Sequence, residues 1–125
     1  MEEELKEQVT KNLRELPEAI RKEGKDLSQL KRDRDIAVFN MKIIEQQLTQ
    51  DINNEQTPKG AKKFGNAIAR KIELDEQLGK HDNHIGYMGD ADRLKSEIEE
   101  KTLHLEFLVN QFRSARSLSR LYGGD

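Results

Sequence analysis

The chain has 125 residues, of which 34% are hydrophobic and 37% charged, with no Trp, no Cys and a formal net charge of −2. This length fits one domain, the polarity excludes a thick globular core, and the missing cysteine excludes disulfides and thiolate metal sites. No apolar run approaches ~18 residues and Met1 leads into acids, so a spanning helix and a secretory signal are not expected, and the expected setting is cytoplasmic.

The apolar residues are spaced, not scattered, which argues against disorder. Leu13, Leu16, Ile20, Glu23, Leu27, Leu30, Arg34, Ala37, Met41, Ile44 and Leu48 follow one another at steps of three and four. That is the a/d rhythm of a coiled coil, and Leu5 and Val9 extend it backwards. The spacing predicts a first helix over about 3–52, with a kink or break near Pro17, where an internal hydrogen bond is lost. Gly24 is a second weak point.

Asp51–Gln56 reads as a polar turn. Thr57–Pro58 reads as an N-cap followed by proline at the first helical position, so a second helix is expected over 58–79. Its apolar face would be Ala61, Phe64, Ile68, Ile72 and Leu78, with Gly79 as its stop. Lys80–Gly89 reads as irregular. Asp90 would cap a third helix over 90–122, ended by Gly123–Gly124. Along it Leu94, Ile98, Lys101, Leu105, Leu108, Phe112, Ala115 and Tyr122 keep a/d spacing, and Leu103, Val109 and Leu118 widen the face. The expected fold is all-α: a long antiparallel helical hairpin, or coiled coil, with an interrupted second arm. So narrow a domain buries little surface, so it is expected to be oligomeric, and Leu105, Leu108, Val109, Phe112, Ala115 and Leu118 are the candidate assembly residues.

Four polar residues, Glu23, Arg34, Asp51 and Lys101, fall on seam positions. Such residues either set register or lie where the seam frays. His81, Asp82, His84 and Asp90 carry ligand chemistry, but their spacing matches no zinc or calcium loop, so no metal is expected. Gly86–Tyr87–Met88–Gly89 lacks the lysine of a phosphate loop. Ser28, Ser96, Ser114, Ser117 and Ser119 lie on predicted helices without a nucleophile elbow, and Glu99/Glu100 sit on a solvated face. The expectation is a non-enzyme without cofactors.

Charge is unevenly placed. Glu2, Glu3, Glu4 and Glu7 make the start acidic. Thr57–Ile72 carries Lys59, Lys62, Lys63, Arg70 and Lys71 without an acid, and Phe107–Gly124 carries Arg113, Arg116 and Arg120 without one. A helix start at Pro58 would add backbone N–H groups to the first cluster. The three arginines share one helix face. These eight residues are the candidate nucleic-acid contacts, with Phe64, Tyr87 or Tyr122 available to stack bases; the alternative is a solvated face or Arg–Glu pairing.

The closing stretch Leu103-His-Leu-Glu-Phe-Leu-Val-Asn-Gln-Phe-Arg-Ser-Ala-Arg-Ser-Leu118, followed by Leu121 and Gly123, resembles the last helix of small bacteriophage recombination and replication accessory proteins, the UvsY-type recombination mediators. The long heptad helix and basic middle are similar in arrangement. The resemblance implies a homo-oligomeric ring that binds single-stranded DNA and helps load a recombinase onto strands covered by single-strand-binding protein. It places Phe112, Arg113, Ala115, Arg116 and Leu118 in the segment used for self-assembly. The family's Lys-x-Arg cluster has no counterpart in the first half, where Lys31–Arg32–Asp33–Arg34 sets an acid among the bases. Two other readings stay open: a helical inhibitor or adaptor that lays an apolar face into a groove on a host enzyme, and an oligomer that sequesters a nucleotide.

Overall fold

The computed structural model describes residues 2–122, and within them the protein is all-α: α1 Glu2–Asn54, α2 Ala67–Gly79 and α3 Asp82–Leu121. Gly123–Gly124, the expected stop of the last helix, lies outside the described residues. No described helix is long and apolar enough to cross a membrane.

α1 is a single helix of 53 residues, with Pro17 and Gly24 inside it and no separate leading helix. Pro17 is exposed, while Leu16 beside it is buried and Ile20 half-buried. The apolar seam thus continues through the position where proline removes a backbone donor. Every residue of the seam from Leu13 to Leu48 is buried or half-buried. Asp51 is the exception among the polar seam candidates: it is exposed and accepts a hydrogen bond from Gln47 at 3.1 Å.

The second helix starts nine residues later than the sequence suggests. Thr57-Pro58-Lys59-Gly60 forms a β-turn, with the Gly60 N–H donating to the Thr57 carbonyl at 2.9 Å. Proline sits second in this turn and glycine fourth, which the type I turn favours. Gly60 has φ +82, so the chain leaves the right-handed helical region there. The turn closes a small antiparallel ladder. Thr57 donates to Ala61 at 2.7 Å, Lys63 donates to Glu55 at 2.9 Å, and Gln56 bridges Lys62. The N-cap of α2 is Asn66, not Thr57; its side chain accepts from the Ala69 N–H at 2.8 Å. α2 does end at Gly79, as expected. Its expected apolar face does not hold, since Ile68 and Ile72 are 75% and 63% exposed and the inner face is Leu74, Gln77 and Leu78.

Of Lys80–Gly89, expected to be irregular, only Lys80 and His81 lie outside helices. α3 begins at Asp82 and runs through Gly86, Gly89 and Asp90. Its start is capped by His81, whose Nδ1 accepts from the His84 N–H at 3.2 Å. Asp82 in the first turn complements the helix dipole.

The chain divides into two compact units, one drawn from Met1–Lys31 with Ser96–Asp125, the other Arg32–Lys95. In the first, Val9, Leu16, Leu27, Leu108 and Ala115 are buried. There α1 and α3 run in opposite directions: Glu23 meets Lys101 and His104, while Lys6 lies over the Tyr122 ring. In the second, Ala37, Ile52, Ala91, Leu94 and the ring of His84 are buried. Leu108 and Ala115, two of the expected assembly residues, are therefore covered by their own chain. Leu105, Val109, Phe112 and Leu118 are half-buried on the same helix.

Candidate functional site

The basic residues divide between the two units. In Arg32–Lys95, the ladder and turn of residues 55–63 present Lys59 and Lys62 outward. Both are exposed, and neither is paired with an acid among the described residues. Lys63 points back: its Nζ meets Glu55 Oε1 at 3.1 Å and lies 5.3 Å from the Phe64 ring centre. Arg70 is half-buried and donates from Nη1 to the Phe64 carbonyl at 3.3 Å. Lys71 sits 3.8 Å from Asp75, one helical turn on.

The expectation of Lys59, Lys62 and Lys63 on a helix start is thus corrected. They lie on a loop, and the exposed N–H groups of α2 begin after Asn66. The first cluster offers a polyanion two free ammonium groups and three cations already engaged. Pro58 and Gly60, second and fourth in the turn, were the signal for this loop in the sequence.

In the other unit, Arg113, Arg116 and Arg120 are exposed on one face of α3. Arg116 lies over the Phe112 ring, 5.9 Å from its centre. Of the candidate stacking aromatics, Phe64, Tyr87 and Tyr122 are all half-buried, and Phe64 and Tyr122 already carry lysines over their rings.

Two seam polar residues meet. Lys101 Nζ donates to both Glu23 oxygens, at 3.0 and 3.2 Å, and lies 3.7 Å from Asp26. His104 Nδ1 approaches Glu23 Oε2 at 2.9 Å; because a carboxylate only accepts, that ring nitrogen carries the proton. The Glu23 side chain is only 14% exposed. The His104 hydrogen bond, and after it that of Lys101, hold the Glu23 carboxyl below the usual carboxylate range. Glu23 in turn raises Lys101 above an ordinary lysine. Leu30, Glu97 and Glu100 line a cleft beside the cluster. The remaining polar seam residue, Arg34, is half-buried and its Nε is covered without a hydrogen-bond partner. His104 is the member that sequence spacing did not single out, since it falls one residue off the a/d rhythm.

The histidines of the former loop are also engaged. His84 Nε2 donates to Glu45 Oε1 at 3.0 Å, and His81 serves as a cap. Among the described residues no group of three or more His, Asp or Glu is placed to hold a metal ion. Comparison with protein-family models, curated proteins and solved structures finds no match to this chain.

Proposed function

We propose that this chain is a non-enzymatic, oligomeric accessory protein of the phage recombination and replication type, binding single-stranded DNA in the host cytoplasm. In this reading α1 pairs with α2 and α3 as an interrupted antiparallel coiled-coil hairpin that serves as scaffold. Its partners are further copies of itself, single-stranded DNA, and a recombinase or single-strand-binding protein. The observation that carries the reading is the loop of residues 55–63, which holds Lys59 and Lys62 exposed and unpaired at a tight turn. Affinity for nucleic acid is mostly phosphate neutralisation, and the three exposed arginines of α3 supply the same chemistry in the other unit.

The test is fluorescence anisotropy with a labelled single-stranded oligonucleotide across a salt series. Binding should weaken steeply with salt. Lys59→Gln with Lys62→Gln should lower the slope of log K against log salt by about 1.4, at roughly 0.7 per phosphate contact. Absence of binding at low salt, or an unchanged slope in the double variant, sinks the reading. A specific observation favours the adaptor as second reading: Leu103 and Phe107, one turn apart on α3, are 67% and 58% exposed. It requires no DNA affinity, so the same titration separates the two.

A further inference from the structure

A second apolar stripe runs along α1, away from its seam. Ile36, Phe39 and Ile43 are 58%, 62% and 47% exposed, although all are large and apolar. At 100° per residue they cluster on one face, about 145° round the helix from the seam residues Arg34, Ala37, Met41, Ile44 and Leu48. All three lie within Arg32–Lys95. Scattered exposed apolar residues need no explanation, but three consecutive members of a heptad stripe do.

We infer that this stripe docks against the same stripe of a second copy of the chain, antiparallel, about a two-fold axis at Phe39. An isoleucine stands three residues before Phe39 and another four after it, so the stripe is close to symmetric about that residue. In an antiparallel pair, positions whose numbers sum to about 78 face each other. Ile36 then meets the partner's Ile43, Phe39 meets the partner's Phe39, and Ile43 meets the partner's Ile36. The flanking charges follow the same symmetry. Asp35 and Lys42 are exposed on one flank of the stripe, their numbers sum to 77, and they are opposite in sign. The two-fold pairing sets each Asp35 against the partner's Lys42, twice per dimer. A parallel pairing instead turns this flank towards the partner's opposite flank, where Asp35 faces Asn40 and Lys42 faces Gln47, and no ion pair forms. A two-fold contact requires such self-complementarity, and a stripe made for an unrelated partner does not. Three apolar residues a side form a small contact, so the dimer is expected to be concentration-dependent.

The inference deepens the self-assembly part of the proposed function and does not rest on DNA binding. The full chain is examined by sedimentation equilibrium over a concentration series. The mass should rise from 14.5 kDa towards twice that value. Phe39→Glu should abolish the rise with helicity unchanged by circular dichroism. Asp35→Lys and Lys42→Asp should each shift dimerisation to at least tenfold higher concentration, and the two together should restore it. A mere folding defect would not be repaired by the second change. Because the chain has no cysteine, Phe39→Cys should cross-link to itself on mild oxidation, as the axis brings the two copies of position 39 together. A wild-type mass that stays at the monomer value, an assembly that survives Phe39→Glu, or a double charge swap without recovery overturns the inference. A monomer that still binds DNA removes this contact and leaves the DNA reading standing; a dimer that ignores DNA does the reverse.

Discussion

Glu23 shows how much a single polar residue on an apolar seam can specify. It is nearly covered, it accepts from two cations, and its partners come from α3 at positions that only one register brings within reach. Shifting α3 by one residue would leave the carboxylate covered and unpaired, which costs far more than the pair itself contributes. The pH dependence follows from the direction of each shift. The lowered folded-state pKa of Glu23 adds stability above the ordinary carboxylate value of about 4.3, lost as pH falls through the folded value. The raised pKa of Lys101 adds stability below the ordinary lysine value of about 10.4, lost as pH rises through its folded value. Thermal melts followed by circular dichroism should therefore fall on the acid side. Glu23→Gln should lower the melting temperature at neutral pH and flatten the acid limb. An acid limb as steep as that of the parent would show that other carboxylates carry it. In the sequence Glu23 and Lys101 were visible as breaks in two separate rhythms. Their pairing was not, because nothing local in a heptad pattern gives the register between distant segments.

At the scale of elements, long seams were legible and short punctuation was not. α1 was readable because its apolar period holds across Pro17 and Gly24, and burial of Leu16 and its neighbours outweighs one lost backbone bond. Thr57–Pro58 carried two meanings, a helix start and a turn, and Gly60 decided between them through its positive φ. Gly86 and Gly89 misled in the opposite sense. Both lie inside α3, and a Cβ added at either meets nothing within 4 Å. Glycine is not needed there for space, and it weakens the helix by widening the freedom of the unfolded chain. Gly86→Ala and Gly89→Ala should each stabilise by roughly 0.5–1 kcal/mol, measured by urea unfolding with an unchanged m-value. A loss of stability at either position would show that the glycine serves a contact made with another molecule. The basic residues illustrate the same limit. Their clustering was plain in the sequence, but which of them are free depends on Glu55, Asp75 and the Phe64 carbonyl.

For the whole molecule the governing quantity is surface. Among the described residues only nine apolar side chains are buried. With so few, each carries a large share of the stability. Leu94, 6% exposed, should cost about 2–4 kcal/mol on replacement by Ala, whereas Ile72, 63% exposed, should cost under about 0.5 kcal/mol. Comparable losses in the two unfolding curves would mean that Ile72 is covered by another copy in solution. The polarity and charge of the composition foretold this thin core, and the hydrophobic periods located most of it. Ile68 and Ile72 escaped, because a helix of 13 residues carries too few turns to fix which face is inner.

The contact between Glu23 and Lys101 spans 78 residues of chain. During synthesis at about 5–20 residues per second, the first half of α1 leaves the ribosome roughly 4–16 s before its partner residues exist. For that interval a helix with an open apolar seam stands beside neighbouring nascent chains that present the same seam. The order of emergence thus makes exchange of α1 between copies a hazard of making this protein, one that grows with the number of ribosomes on a message and fades once residue 101 has cleared the tunnel.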